Sequence, residues 1–440
     1  MASTQLQRTS GTSTENYKYT FSAWVKRTGV LGSSSVNEVL FSSWDGSSNS
    51  AYIRFEDQND NLQVYDKYGS VIDLNYQTDM KFRDSNAWYH IVVDVDGTRS
   101  ANQRCKIYVN GSQVSCSNTT DSGGTLAMKT VTATNATRLG AIRTSGGAEY
   151  YFNGLMSHVH YIDGTGYDAS YFGETDSTTG EWKIKTDVTG VTYGNNGFFV
   201  LKDGNSVTDQ SGNSNNFAVG GGTLTKTEDN PSNVFATLNP LDNYFAASTF
   251  SNGNNTITSG TTPNTWNTAT LGVSSGKWYW ETELDAESSG GSALFGIADR
   301  PTDSATRELG DLATTYAYLS SGNFRTNNSN TSNGVSATVG DIIGIALDLD
   351  NNQISYYKNG TIIGSAQSIT APSSTLNGVY FPAWGDWLDP GTVTFKCNFG
   401  NGYFGTTAVS SAGTNASGNG IFEYDVPTGY TALSTKGLNL

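Results

Sequence analysis

One strand–turn–strand pattern occurs in both halves of this chain, and no other feature restricts the fold as much. The first copy is Ile91-Val-Val-Asp94-Val-Asp96 followed by Lys106-Ile-Tyr108-Val-Asn110-Gly111. The second is Ile345-Ala-Leu-Asp348-Leu-Asp350 followed by Ile354-Ser-Tyr-Tyr357-Lys-Asn359-Gly360. Each is an apolar run of alternating polarity, then a strand that ends in Asn-Gly. A type I′ turn needs positive φ at both central residues, which Asn-Gly adopts at least cost, so both copies are predicted to be β-hairpins. Two copies predict two β domains on a similar plan, with binding from a rigid scaffold ahead of catalysis.

Length and composition agree. The 440 residues suffice for two or three cores. With 50 glycines and 8 prolines, tight turns are frequent, and 12% aromatic content argues against disorder. No window sustains a 3.6-residue apolar period, so the fold class is all-β. A net charge of −15 argues against nucleic acid as a partner, because phosphate binding needs clustered Lys and Arg. No apolar run of about 20 residues exists to insert into a membrane. The segment Met1-Ala-Ser-Thr-Gln-Leu-Gln-Arg-Thr-Ser has no apolar h-region, so synthesis in a cytosol is expected. The 3 cysteines are a poor disulfide framework. Counting outward from the Asn110-Gly111 turn sets Cys105 opposite Cys116. A cross-strand bond is conceivable there, while its hydrogen-bonded position and cytosolic synthesis favour free thiols.

Residues 1–16 are polar and are expected to form a flexible or docking arm. Strands are predicted from Tyr17-Lys-Tyr-Thr-Phe-Ser-Ala-Trp-Val25 through Val39-Leu-Phe, Ala51-Tyr-Ile-Arg-Phe55, Leu62-Gln-Val-Tyr65, Trp88-Tyr-His-Ile-Val and the first hairpin, to Gly154-Leu-Met-Ser-His-Val-His-Tyr-Ile162. The order Phe-Ser-Ala-Trp-Val, Trp-Tyr-His-Ile-Val, Lys-Ile-Tyr-Val-Asn-Gly, Leu-Gly-Ala and Phe152-Asn-Gly-Leu resembles the laminin-G-like branch of concanavalin A-like lectin/glucanase domains. The following Tyr161-Ile-Asp-Gly and Ala169-Ser-Tyr-Phe-Gly-Glu174 are similar to the exit of this domain in structural proteins of marine bacteriophages. This places a first β-sandwich at 17–172. Residues 173–232, rich in turn signals such as Asp209-Gln-Ser-Gly and Asn230-Pro-Ser-Asn233, are expected to be a strand-containing connector.

From 233 to 440 a second series follows. Gly276-Lys-Trp-Tyr-Trp-Glu-Thr-Glu-Leu284, Ala293-Leu-Phe-Gly-Ile-Ala298, Gly340-Asp-Ile-Ile-Gly-Ile-Ala-Leu-Asp-Leu349, the second hairpin, Tyr380-Phe-Pro-Ala383 and Val393-Thr-Phe-Lys-Cys-Asn-Phe-Gly400 resemble the SPRY domain. The resemblance implies a non-enzymatic β-sandwich that binds partners through loops at one edge. The expected fold is therefore two jelly-roll/β-sandwich domains, laminin-G-like and SPRY-like, joined by the connector.

Several constellations could carry chemistry. Glu283, Asp285 and Glu287 match the E-x-D-x-E pattern of concanavalin A-like retaining glucanases, and strict alternation would point all three to one face. A solvated strand face is the competing explanation, favoured because Ser-Ser-Gly-Gly291 ends the strand at once. His158 and His160 would share a strand face, without cysteines at zinc spacing. The laminin-G-like resemblance implies a rim Ca2+, with Asp94 and Asp96 as candidate ligands and Asp348 and Asp350 in the second copy; solvated turn acids are the default. No other cofactor is expected. Flat aromatic faces beside acids suit sugars, which have an apolar face and a hydroxyl rim. Trp44 and Asp45 in one loop, and Trp384, Asp386 and Trp387 beside Asp389 in another, are the candidate binding residues.

The sequence thus suggests a bacteriophage virion protein: a tail or capsid fibre, knob or adhesin, assembled in the host cytoplasm and displayed on the particle surface. It would contact host-surface glycans or other virion proteins and, by analogy with phage fibres, form homo-oligomers. A glucanase using Glu283 and Glu287, and a ligand-free cement protein, are the rivals.

Overall fold

The computed structural model describes residues 3–28, 37–44, 49–57, 59–122, 136–144, 147–202, 204, 206–260, 265–288, 292–387 and 391–439. These residues form two compact units that divide between Lys226 and Thr227. Both are antiparallel β-sandwiches, and the only helical pieces among the described residues are three short 3-10 turns. Among the described residues no helix is long and apolar enough to cross a membrane.

The first unit packs an eight-stranded sheet on a six-stranded one. The larger runs in the order Cys116–Asp121, Val71–Thr78, Leu62–Tyr68, Ser50–Phe55, Glu38–Trp44, Ala136–Leu139, Gln5–Thr9, Ala218–Gly221. The smaller is Phe198–Val200, Gly154–Asp163, Lys18–Arg27, Trp88–Asp96, Cys105–Val109, Ser112–Gln113. Alternation sends Phe21, Ala23, Val25, Ile91 and Val93 inward against Phe41, Ile53, Phe55 and Val64, all fully buried.

Two expectations need correction here. The supposed arm supplies a strand, Gln5–Thr9, whose Leu6 is buried and whose Gln5 and Gln7 side chains accept hydrogen bonds from Arg138 at 2.8 and 3.0 Å. The supposed connector is mostly part of the first unit: Phe198–Val200 and Ala218–Gly221 extend its two sheets. Residues 169–197, including the Gly173–Thr175/Trp182–Ile184 hairpin, cover the outer face of the six-stranded sheet. They build a second small core from Val92, Ile162, Phe172, Val191, Tyr193 and Phe199.

The second unit repeats the plan. One sheet runs Thr249–Ser251, Thr256–Thr258, Val393–Asn398, Lys277–Glu287, Ile342–Asp348, Gln353–Lys358, Thr361–Ser368, and Thr431–Ala432 pairs in parallel with Lys277–Glu287. The other runs Trp266–Thr268, Phe381–Asp386, Ala293–Ala298, Thr315–Leu319, Asn323–Thr326, Ser329–Ser332.

Both Asn-Gly hairpins form, with φ of 47° and 82° at Asn110 and Gly111 and 47° and 78° at Asn359 and Gly360. Their likeness extends beyond the turn. Asn110 donates its N–H to the His90 carbonyl at 2.9 Å and accepts from the His90 N–H through Oδ1 at 2.8 Å. Asn359 does the same to Ile342, at 2.8 Å in both directions. Each turn glycine is then roofed by an aromatic ring from further along the chain: a Cβ at Gly111 would lie 2.6 Å from Trp182, and one at Gly360 2.7 Å from Tyr424. Gly111→Ala should therefore destabilise the first unit by on the order of 2 kcal/mol, combining positive φ with overpacking. Gly69→Ala, with φ of 59° and nothing within 4 Å, should cost about half that. Denaturant midpoints compare the two, and equal losses would mean that the Trp182 roof yields freely.

Candidate functional site

The acidic motif does not assemble. Within Lys277–Glu287 the pairing with Val393–Asn398 shifts register between Leu284 and Ala286, leaving Asp285 as an extra residue. Glu283 and Asp285 both meet Lys396, at 3.8 and 2.5 Å. Beyond the bulge Glu287 pairs with the inward-facing Val393 and turns toward the other sheet, where it accepts from the Ala293 N–H at 2.9 Å and Ser320 Oγ at 2.6 Å. The three carboxylates therefore do not share one face. Glu281, one turn of the pleat earlier, is buried beneath residues 423–424, accepting from both their N–H groups at 2.8 and 2.9 Å. Burial pushes its carboxyl up to about 7.

Three of the four candidate Ca2+ ligands are held by cations of the chain itself. Asp94 is bound by Arg99 at 2.6 Å; Asp96 accepts from Thr98 and lies 3.5 Å from Lys18. In the second copy Asp348 pairs with Lys277 at 2.9 Å, and Asp350 accepts from the Gly276 N–H. At Asp94, Asp96 and Asp348 a guanidinium or ammonium stands where a hard cation would, and Asp350 is bonded to a backbone N–H, so the set does not fit Ca2+. Among the described residues no group of three or more His, Cys, Asp or Glu could hold a metal ion. A second register shift, between Ser157 and His160, puts His158 at positive φ and separates the two histidines' faces. His160 is buried.

Of the aromatic candidates, Trp384 is core: it is 1% exposed, donates to Thr282 Oγ1 at 3.1 Å and meets Phe399 edge-on. Asp386 is buried and accepts from Ser259 Oγ. Trp387 is half-buried under the Arg325 guanidinium, 4.7 Å from the ring centroid. Trp44 is half-buried at the end of its strand, with Arg143 at 6.0 Å. Asp45 and Asp389 lie outside the described residues.

What the structure brings together is a different set. On the outer face of the eight-stranded sheet, register lines up Gln7, Arg138, Ser42, Tyr52, Tyr65 and Asn75 in one row across six strands. Tyr52 and Tyr65 stack at 4.6 Å with an 8° tilt, and Arg54 lies over Tyr52 at 4.7 Å. The next row is an amide ladder: Arg54 Nε donates to Gln63 Oε1 at 2.7 Å, Gln63 Nε2 to Asn75 Oδ1 at 2.8 Å, and Gln77 Nε2 to Glu56 Oε1 at 2.9 Å. Trp44 and Arg143 border this face. Burial pushes the Tyr52 hydroxyl up to about 12 and raises that of Tyr65, so both stay neutral donors at ordinary pH. A half-buried face of hydroxyls, amides and aromatic edges, fixed by its own hydrogen bonds, is suited to an uncharged hydroxylated ligand. Its signal in the sequence was the outward alternation of Tyr52/Arg54, Gln63/Tyr65 and Asn75/Gln77 on three consecutive strands.

The second unit displays an apolar tip. Leu241 is 57% and Tyr244 90% exposed. Their loop is braced by Asp242, which accepts from the Thr268 N–H and Oγ1, and by Asn243, which bonds Ser248 in both directions.

Comparison with known proteins agrees with both folds. Residues 2–165 match the model of the concanavalin A-like lectin/glucanases superfamily, laminin-G type, and residues 277–399 match that of the SPRY domain. The chain thus carries a concanavalin A-like, laminin-G-like domain followed by a SPRY domain, a pairing that fits a binding protein. Similar solved structures include the SPRY domain of human HERC1, 19% identical, covering 32% of this chain and 87% of that one at a TM-score of 0.26. A Bacteroides ovatus protein ascribed to carbohydrate binding is 17% identical, covering 52% of this chain and 61% of that one at a TM-score of 0.33. A pentraxin of Limulus polyphemus is 16% identical, covering 37% of this chain and 70% of that one at a TM-score of 0.27. No curated protein sequence matches the chain.

Proposed function

We propose that this protein is a non-enzymatic adhesin of a bacteriophage particle, exposed on its tail or capsid, that holds host-surface glycan on the outer face of its eight-stranded sheet. The observation that carries the glycan reading is the row through Tyr52, Tyr65 and Asn75 with its amide ladder, a preorganised hydroxyl-binding surface on rigid strands. The particle is supported by the resemblance of residues 161–174 to the domain exit of phage structural proteins. The braced Leu241–Tyr244 tip suits contact with a neighbouring particle protein or a second copy of the chain.

An array of bacterial surface polysaccharides tests the glycan reading. The full chain should bind, and Tyr65→Ala should weaken binding by at least about tenfold, the loss typical of a truncated interface aromatic, with thermal stability close to that of the unaltered chain. Binding that survives Tyr65→Ala and Asn75→Ala together, or no binding to any polysaccharide, overturns it.

A further inference from the structure

We propose that Cys105 and Cys116 are an oxidisable pair whose disulfide staples the two sheets of the first unit across its open edge. The proposal goes beyond the adhesin reading and does not depend on it. Cys105 begins the Cys105–Val109 strand of the six-stranded sheet and is buried in the main core. Had the hairpin continued, Cys116 would lie beside it in the same sheet. Instead the pairing Tyr108–Gln113 is followed by one bond, from the Val114 N–H to the Ile107 carbonyl at 2.9 Å, and the chain then crosses. Cys116 opens an edge strand of the other sheet, opposite Thr78. Both cysteines nevertheless line one cavity of about 210 Å³, together with Tyr76, Ile107 and Val114. Both thiols are free, and Cys116 donates to the Val114 carbonyl at 3.8 Å. Cys116 is also one of the groups whose charge acts on Cys105, which sets the two thiols close to one another beside that cavity.

Glutathione disulfide suffices as oxidant. The half-buried Cys116 thiolate attacks one glutathione sulfur and expels the other glutathione as a thiolate. The Cys105 thiolate then attacks the Cys116 sulfur of the mixed disulfide and expels the second. Two protein thiols are oxidised by two electrons, one glutathione disulfide is reduced to two thiols, and the two cysteine protons pass to the departing thiolates. Burial pushes the Cys116 thiol up to about 11 and raises Cys105 as well, so the reaction quickens at alkaline pH.

The test is to treat the folded full chain with glutathione disulfide at mildly alkaline pH and map peptides without reduction. The expected product is a chain about 2 Da lighter, with the Cys105 and Cys116 peptides linked. Its Tm should rise by several degrees and fall back with dithiothreitol. Cys397, buried in the second unit, serves as an internal control and stays unmodified. Cys105→Ser should stop at a glutathione adduct on Cys116; should that variant not fold, Cys116→Ser should leave the chain unreactive. A Cys116 adduct that never closes in the unaltered chain, Cys116-linked dimers, or three unmodified thiols would each overturn the proposal.

Discussion

Trp384→Ala should destabilise the second unit by about 3–5 kcal/mol, the cost of emptying a fully buried indole site. The residue lies in Phe381–Asp386 between Trp266–Thr268 and Ala293–Ala298, opposite Asn267 and Phe295. Its ring fills the space between the sheets against Phe399, and its Nε1 is satisfied by Thr282 Oγ1, which would lose that donor. Trp387→Ala, three residues on, should cost only about 1–2 kcal/mol, since its half-buried ring only flanks the small cluster around Trp266 and stacks under Arg325. Guanidinium unfolding followed by circular dichroism separates the two variants. Near-native stability in Trp384→Ala together with loss of a bound glycan would return Trp384 to the role its sequence setting suggested.

That reversal shows where sequence patterns stop being informative. The Asn-Gly hairpins were legible because a type I′ turn is decided by two residues and their φ values. The sandwich strands were legible because burial on one face imposes a period of two on Phe21, Ala23 and Val25. Gln5–Thr9 was not, since a strand with one apolar residue is stabilised by its neighbours Ala136–Leu139 and Ala218–Gly221, both remote in sequence. The E-x-D-x-E motif failed through a bulge that depends on Val393–Asn398, and nothing within Glu283–Glu287 encodes it. Trp384 beside Trp387 looked like a loop ligand because adjacency in sequence hides that one is in a central strand. The Tyr52, Tyr65 and Asn75 row, conversely, exists only once three strands are in register; each residue alone is an ordinary outward position. Trp182, within the stretch expected to be a connector, closes the Gly111 turn and bonds His90, a role that no local pattern around it signals.

Acid should unfold the first unit through two histidines kept neutral beneath that same covering layer. His90 is 1% exposed, stacked between Trp24 at 4.9 Å and Trp182 at 5.9 Å. The indole Nε1–H of Trp182 donates to His90 Nδ1 at 2.9 Å, so Nδ1 must carry a lone pair and Nε2, 2.9 Å from Ser22 Oγ, carries the proton. Protonating Nδ1 would set two donors against each other. Burial, with His158 adding to it, pushes His90 down to about 3. His160, stacked on Phe199 at 3.8 Å with Nδ1 2.8 Å from the Tyr193 hydroxyl, is likewise lowered far below its ordinary value by burial. Between the unfolded value of 6.5 and these depressed values the unfolded chain binds more protons than the folded one, so stability falls as pH falls. At pH 5 His90 removes about 2 kcal/mol, and His160 acts in the same sense. Glu38 and Asp94 act in the opposite sense, since burial raises their carboxyls, so a difference measurement is needed to isolate the histidine share. The stability gap between the unaltered chain and His90→Gln should narrow below pH 6 by about 1.4 kcal/mol per pH unit, because only the former has an extra proton to gain on unfolding. Chemical denaturation read by tryptophan fluorescence at pH 7, 6 and 5 supplies the three points, and a gap that stays constant would mean that His90 is already charged in the folded protein.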